Sequence, residues 1–268
     1  MNKLSVLNSI KTFEKNFDSA AWAKFMETNY DQIVWTSVAF YLISIYLLSR
    51  FMVDRPAYQL KKPLIIWNFL LFVFSFFGAV RFVPIMFGAK SLDEIMCSNY
   101  YHLDSPYAMW TALFTLSKPL ELVDTYFLIL RKRKVIFLHW YHHATVLIYS
   151  LLAAQRLYAG MTYVAMNYSV HCLMYGYYFI AATRIIKIPK FISKSITSLQ
   201  ILQMVAGIFV HVYLIKRVVL EGNYEGCHTD GTWIFYGSVM YASYFVLFYK
   251  YFTKTYSKKE GSDSKKKD

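Results

Sequence analysis

Three histidines, His139, His142 and His143, lie within five residues of one apolar segment of this 268-residue chain. Their spacing of i, i+3 and i+4 places all three side chains on one face of a helix. A neutral imidazole can bind a metal ion, transfer protons, or act as nucleophile or base in acyl transfer. Packing between helices does not need such a cluster, so the pattern predicts a chemical role, and the residues alone leave these three chemistries open.

Three further polar groups interrupt neighbouring apolar segments, each at helical spacing. Polar and ionisable side chains are costly inside hydrocarbon, which makes them candidate functional residues. For the last of these groups, hydrogen bonding between helices explains the residues equally well. The groups are Lys118, Glu121, Asp124 and Thr125; then Asn167, His171, Tyr175 and Tyr178; then Thr197, Gln200 and Gln203.

The segments that carry these groups are long and apolar, in a chain that is 57% hydrophobic and 17% charged. A helix needs about 20 mostly apolar residues to cross a bilayer. The chain is therefore predicted to be an all-α polytopic membrane protein with seven transmembrane helices. Low charge and many aromatic residues exclude a disordered chain, and the scattered basic residues argue against a nucleic-acid partner. The seven predicted segments are 31–50, 63–88, 108–130, 135–154, 159–182, 193–215 and 231–252.

The loops on one side of these segments hold most of the lysine and arginine, as cytosolic loops do. They are 50–62, 131–134, 183–194 and the tail from 250. This predicts a lumenal segment 1–30, either an interfacial helix or a helix packed on the bundle, a seven-helix transmembrane domain 31–252 and a cytosolic tail 253–268. At 1.5 Å per residue, the polar groups lie roughly 6–18 Å from the cytosolic helix ends, so they should converge in that half of the bilayer.

The cysteines and the C-terminal lysines give information about the cellular compartment of the protein. Cys97 and Cys227 fall in predicted lumenal loops, where an oxidising environment allows a disulfide between them, whereas Cys172 lies within a span and should be a free thiol. Lys265 and Lys266, near the end of the tail, resemble a dilysine retrieval signal of the endoplasmic reticulum. The plainer explanation is a solvated basic tail.

The histidine spacing also resembles one box of the membrane di-iron desaturases and hydroxylases. Those enzymes use about eight histidines, whereas this chain has seven. His102 and His228 fall in predicted lumenal loops, and His211 stands alone on its segment. This count argues against a metal-dependent desaturase or hydroxylase. That class is kept as an alternative, together with a seven-helix transporter or receptor.

Taken in order along nearly the whole chain, the polar groups resemble the boxes of the ELO family of very-long-chain fatty acid elongases. One box alone would be weak evidence, but four in order with this predicted topology are strong. The boxes read Lys118-Pro-Leu-Glu121-Leu-Val-Asp124-Thr125, His139-Trp-Tyr-His142-His143, His171-Cys-Leu-Met174-Tyr175-Gly-Tyr177-Tyr178 with Asn167 four residues earlier, and Thr197-Ser-Leu-Gln200-Ile-Leu-Gln203.

The resemblance implies an acyltransferase that carries out the condensing step of fatty acid elongation. Long-chain acyl-CoA and malonyl-CoA would give 3-ketoacyl-CoA, CoA and carbon dioxide, in a buried acyl tunnel and active site, without a metal or other cofactor. His142 would carry the acyl group as an acyl-imidazole. His143, His171 and Asn167 would then orient the malonyl group or stabilise its charge, and His139 would be a further catalytic residue of the box. Glu121 or Asp124 would neutralise Lys118 or orient a histidine.

The resemblance extends to location, partners and substrate. It implies a multi-pass protein of the endoplasmic reticulum membrane, surrounded by membrane lipid, that works with a ketoacyl reductase, a dehydratase and an enoyl reductase. Lys134 stands where polyunsaturate elongases carry Gln, so the chain is most similar to the branch that extends palmitate and other saturated or monounsaturated chains. The cytosolic residues that could bind CoA phosphates, or merely set topology, are Arg131, Lys132, Arg133 and Lys134.

Overall fold

The computed structural model describes residues 12–104 and 107–257, and within those residues it is helical and contains no strand. Each of the seven segments predicted from hydropathy is mostly helical there. Two short helices, Leu92–Cys97 and Tyr100–Leu103, lie in the predicted lumenal stretch after the second segment. The helices are α1 Ser19–Phe51, α2 Lys61–Gly88, α3 Leu92–Cys97, α4 Tyr100–Leu103, α5 Tyr107–Glu121, α6 Val123–Leu130, α7 Phe137–Arg156, α8 Met161–Thr183, α9 Lys190–Leu214 and α10 Gly231–Phe252, with π-helical turns at Ile215–Leu220 and Thr253–Ser257.

Three stretches in the described part of the chain are long and apolar enough, by length and composition, to cross a membrane: Ser19–Phe51, Lys61–Gly88 and Lys190–Leu220. The outer face of α1 agrees with this, because its side chains at helical spacing, Phe40, Ile43 and Leu47, are 58–66% exposed. Large apolar side chains exposed along one face mark contact with lipid or protein. The architecture is thus that of a helical membrane protein, and membrane crossing by the other four segments stays a prediction.

The first long helix begins earlier than hydropathy predicts. It starts at Ser19 rather than near residue 31, because the Asp18 carboxylate caps it by accepting from the Ala21 N–H at 2.8 Å. Residues 19–30 therefore continue into α1 without a break. Met26 and Tyr30 on this part are buried in the protein core.

The third predicted segment is wrong as a single helix, because it is interrupted at Leu122. Pro119 lies just before the interruption, and proline removes a backbone donor and crowds the preceding turn. The chain tightens after it, since the N–H of Leu122 bonds to the Pro119 carbonyl and that of Thr125 to the Leu122 carbonyl, both i to i−3. The break falls inside the Lys118–Thr125 box.

The described residues form two compact units. The first comprises residues 12–60, 78–165 and 224–229, and the second 61–77, 166–223 and 230–257. The helices α2 and α8 each contribute to both. The predicted transmembrane domain 31–252 is thus built from parts of two units. Lys265 and Lys266 lie outside the described residues.

The core of the first unit is formed where α1 packs on α6 and α7. Val34, Tyr41, Leu147 and Leu151 are almost completely buried in it. At another point of this unit, Cys97 and Cys227 are joined by a disulfide across 130 residues. The backbone N–H of His228 also bonds to the Cys97 carbonyl at 3.0 Å. Residues 224–229 are thereby attached to the short helix α3.

In the second unit, α9 packs closely on α10. Gly207 lies against the ring of Tyr241, where a Cβ would collide with the ring. His211, one turn later, is buried, with its Nδ1 2.8 Å from the Gly207 carbonyl oxygen and its ring 5.4 Å from that of Tyr241. His211 is therefore a packing residue of this helix pair, as expected for a solitary histidine.

Candidate active site

The histidine box lies in the first two turns of α7, after a short extended connection that ends at Ile136. The ring centres of His139 and His143 are 4.5 Å apart, and those of His142 and His143 are 5.5 Å apart with the rings nearly perpendicular. His143 is buried, whereas His139 and His142 are half-buried. The i, i+3, i+4 spacing thus gives one contiguous cluster of three imidazoles.

Two buried hydroxyls lead to this cluster from other helices of the first unit. The Thr125 hydroxyl, on α6, lies 3.0 Å from Nε2 of His139. The Tyr41 hydroxyl, on α1, lies 2.8 Å from the same Thr125 oxygen. Both residues are completely buried. The sequence singled out Thr125 but gave no signal for Tyr41, which sits among the apolar residues of the first predicted span.

Lys118 and Glu121 form a buried ion pair near the helix break. The Lys118 ammonium lies 2.8 Å from Glu121 Oε1, and the two side chains are 1% and 4% exposed. Ser117 donates to the same oxygen at 2.8 Å, and the ammonium lies 4.2 Å from the Phe114 ring centre. A buried charge is tolerated when it is paired and hydrogen-bonded. Of the two predicted counter-ions for Lys118, Glu121 is in contact with it, and Asp124 is half-buried.

The third box lies on the part of α8 that belongs to the second unit. The Asn167 amide donates to Nε2 of His171 at 3.2 Å, and the His171 ring stands perpendicular to Tyr175 with centres 5.4 Å apart. All three side chains are buried. An amide N–H can only donate, so Nε2 of His171 is the acceptor in this pair. Tyr178, predicted on the same face, is instead 45% exposed.

The fourth box, on α9, contacts the third within the second unit. The Gln200 amide donates to the sulfur of Met174 at 3.4 Å. Gln203 is buried. The Thr197 hydroxyl donates to its own helix, to the Ser193 carbonyl at 3.1 Å, and lies 3.4 Å from the Tyr256 hydroxyl. The Tyr256 contact joins α9 to the segment after α10, which is the kind of contact between helices that the sequence left open for Thr197.

The basic loop that follows α6 is tied to the loop that follows α1. The Lys132 ammonium donates to the Val53 carbonyl at 2.8 Å, and the Tyr58 N–H donates to the Leu130 carbonyl at 2.9 Å. Lys132 has a φ of 51°, the left-handed conformation that closes this turn. Lys132, one of the four residues predicted to bind CoA phosphates, is thus hydrogen-bonded to the backbone. Of the others, Arg133 and Lys134 are exposed and Arg131 is half-buried.

In the described part of the chain, no group of three histidine, cysteine, aspartate or glutamate side chains is arranged to hold a metal ion. Cys172, the neighbour of His171, is a half-buried free thiol. The first and second boxes belong to the first unit, whereas the third and fourth belong to the second.

Comparison with known proteins agrees with the residue pattern. The family described as ELO: GNS1/SUR4 matches residues 25–264. The chain is 40% identical to very long chain fatty acid elongase 6 of Drosophila melanogaster, over 95% of this chain and 81% of that protein. It is 40% identical to human elongase 3, over 81% of this chain and 80% of that protein, and 38% identical to human elongase 6, over 91% of each. With its four polar boxes and its apolar helices, this membrane protein belongs to the ELO family of fatty acid elongases.

Proposed function

We propose that this chain is the condensing enzyme of fatty acid elongation, which joins a long-chain acyl-CoA to malonyl-CoA. The observation that carries the proposal is the cluster of His139, His142 and His143. Within it His143 is buried, and His139 is engaged by Thr125. His142 is half-buried and contacts His143. We propose His142 as the acyl carrier because it is the middle histidine of the box, the position that carries the acyl group in the family it resembles.

The reaction needs two steps. A neutral ring nitrogen of His142 attacks the thioester carbonyl, the C–S bond breaks, and CoA leaves as a thiol with the proton that the imidazole loses. Malonyl-CoA then loses carbon dioxide, and its enolate carbon attacks the acyl carbonyl. The C–N bond to His142 breaks, and the imidazole recovers a proton from the medium. The products are 3-ketoacyl-CoA, CoA and carbon dioxide.

The remaining polar residues have supporting roles in this proposal. Lys118 and Glu121 supply a buried ion pair that stiffens the broken helix before Thr125. For the second unit, we propose that the Asn167–His171 pair, an imidazole hydrogen-bonded to an amide, is suited to stabilising negative charge. Arg131, Arg133 and Lys134 would bind CoA phosphates from the cytosol. We propose supporting roles also for Asp124, Tyr175, Tyr178, Gln200 and Gln203.

The proposal includes a location and a substrate class. The enzyme would lie in the endoplasmic reticulum membrane with seven spans, its N-terminus in the lumen and its lysine-rich tail in the cytosol. A reductase, a dehydratase and a second reductase must act on its product to complete a cycle of chain extension. Saturated and monounsaturated acyl-CoAs are the proposed substrates, since Lys134 replaces the glutamine of polyunsaturate elongases.

The test is a condensation assay on the purified protein, with acyl-CoAs of graded length and unsaturation and carboxyl-labelled malonyl-CoA. Release of labelled carbon dioxide that depends on acyl-CoA is the expected result. Without malonyl-CoA, peptide mass spectrometry should find the acyl group on His142. Replacing His142 with Ala should abolish both signals, whereas Cys172→Ser should retain them.

Three results would contradict the proposal. An acyl adduct on Cys172 would reassign the nucleophile. Stoichiometric iron, with oxygen-dependent desaturation or hydroxylation, would favour the oxidase alternative. Ligand transport without carbon dioxide release would favour a transporter.

A further inference from the structure

The two reaction steps proposed for His142 assign no role to a hydrogen-bonded path that leads from Tyr41 to the histidine cluster. It runs from the Tyr41 hydroxyl to the Thr125 hydroxyl at 2.8 Å and on to His139 Nε2 at 3.0 Å. Tyr41 and Thr125 are both completely buried. We propose that Tyr41 is a positioning residue, which acts through Thr125 to hold His139 in one tautomer and one ring orientation. The inference rests on the proposed function, with His142 as acyl carrier.

The greater acidity of the Tyr41 phenol favours one direction along this path. A threonine hydroxyl has a single proton, so Thr125 can donate to only one of its two partners. When Thr125 donates to His139, its lone pair accepts from the Tyr41 phenol, which is the more acidic hydroxyl and the stronger donor. Each of these bonds then strengthens the other. His139 consequently accepts at Nε2 and keeps its proton on Nδ1.

The constraint on His139 passes to the acyl carrier through ring contacts. The His139 ring lies 4.5 Å from His143, measured between centres, and His143 lies 5.5 Å from His142. A ring that is held in one orientation restricts the rotamers open to the ring packed against it. Tyr41 would therefore affect the rate of acyl transfer without touching either substrate.

A neighbouring hydrogen bond provides a control that distinguishes this positioning role of Tyr41 from a role in helix packing alone. The Ser44 hydroxyl lies 2.6 Å from the Tyr126 hydroxyl, and this pair joins α1 to α6 as Tyr41 and Thr125 do. No described hydrogen bond leads from Ser44 or Tyr126 to a histidine. Tyr126→Phe therefore removes a phenol oxygen from the same helix contact and is a matched control for Tyr41→Phe.

The experiment compares these variants of the full-length protein in the condensation assay. Tyr41→Phe should lower kcat about tenfold, the worth of one net hydrogen bond, with KM for both CoA substrates nearly unchanged. The rate of His142 acylation without malonyl-CoA should fall by the same factor. Tyr126→Phe should leave both rates at wild-type values. Apparent melting temperatures in detergent should be similar for the two variants.

Changes at Thr125 test the same path without altering Tyr41. Thr125→Ser keeps the hydroxyl and should retain most of the rate, whereas the isosteric Thr125→Val should lose it. Tyr41→Phe added to Thr125→Val should have no further effect, because the path is already cut.

Several outcomes would overturn the inference. They are a Tyr41→Phe enzyme with wild-type kcat, equal losses in Tyr41→Phe and Tyr126→Phe, equal losses in Thr125→Ser and Thr125→Val, and additive losses in the double variant. A wild-type protein that condenses nothing, or that is acylated elsewhere, would instead contradict the proposed function.

Discussion

Glu121 holds the ammonium of Lys118 at 2.8 Å, with both side chains buried and only one helical turn between them. We predict that removing one partner is worse than removing both. Lys118→Met leaves a buried carboxylate without its counter-ion, which typically costs about 3–5 kcal/mol of stability. The double variant Lys118→Met, Glu121→Gln should recover much of that loss.

Thermal unfolding in detergent measures these changes. Equal destabilisation in the single and double variants would show that the charges do not compensate each other. Activity should stay low in both, because the pair precedes Thr125 and the helix break.

A second ion pair joins the N-terminal segment to α2. The carboxylate of Glu14, which is buried, accepts from Arg81 Nε and Nη2 at 2.9 and 3.0 Å and from the Trp110 indole N–H at 2.8 Å. Glu14→Ala leaves a guanidinium and an indole donor to find other partners, so it should lower the free energy of unfolding by about 1–3 kcal/mol.

Glu27 provides the control for this prediction, because it is exposed on α1. Glu27→Ala should change the melting temperature little. An unchanged melting temperature for Glu14→Ala would mean that the segment contributes nothing to stability.

His102, in the short helix α4, should make stability depend on pH. Burial lowers the pKa of this imidazole from 6.5 to about 4, and the Tyr158 carbonyl, 3.0 Å from its Nε2, offsets only part of the shift. The unfolded chain then binds more protons than the folded protein between these two values. Stability should be full above pH 6.5 and fall as the pH drops towards 4, by about 3 kcal/mol at most.

Melting temperatures measured from pH 4.5 to 7.5 test this slope. His102→Gln should flatten it, whereas the same change at the exposed His228 should leave it as in the wild type. If the His102→Gln protein keeps the wild-type dependence of melting temperature on pH, other titratable groups cause that dependence.

The disulfide between Cys97 and Cys227 encloses a long part of the chain, since the two cysteines are 130 positions apart. Because closing a long loop restricts the unfolded state, its loss should cost about 2–5 kcal/mol. Cys97→Ser and Cys227→Ser should lower the melting temperature equally, and the double variant by no more than either. Free alkylation of both thiols under non-reducing conditions would show that the bond is absent, and Cys172→Ser serves as the control for a lost thiol.

The amino-acid sequence by itself determined the helical class, the segments that form helices, the common face of the three histidines and the four family boxes. These features follow from hydropathy and from periodicity along one helix, which are local properties of the chain. Hydropathy located the apolar part of α1 but missed its start, because the Asp18 cap that sets it is a polar signal outside the apolar stretch. It also missed the break at Leu122, because the mean hydropathy of a segment does not register how Pro119 alters the geometry of the helix.

Only the tertiary structure decided which distant residues meet. Tyr41 reaches Thr125 across 84 positions, Glu14 reaches Arg81 across 67, and Gln200 reaches Met174 across 26. Such contacts depend on how helices rotate and pack against each other, and many residues set that packing jointly. The tyrosine that contacts the reactive cluster through Thr125 thus looked like any other aromatic residue of an apolar span until α1 was placed against α6 and α7.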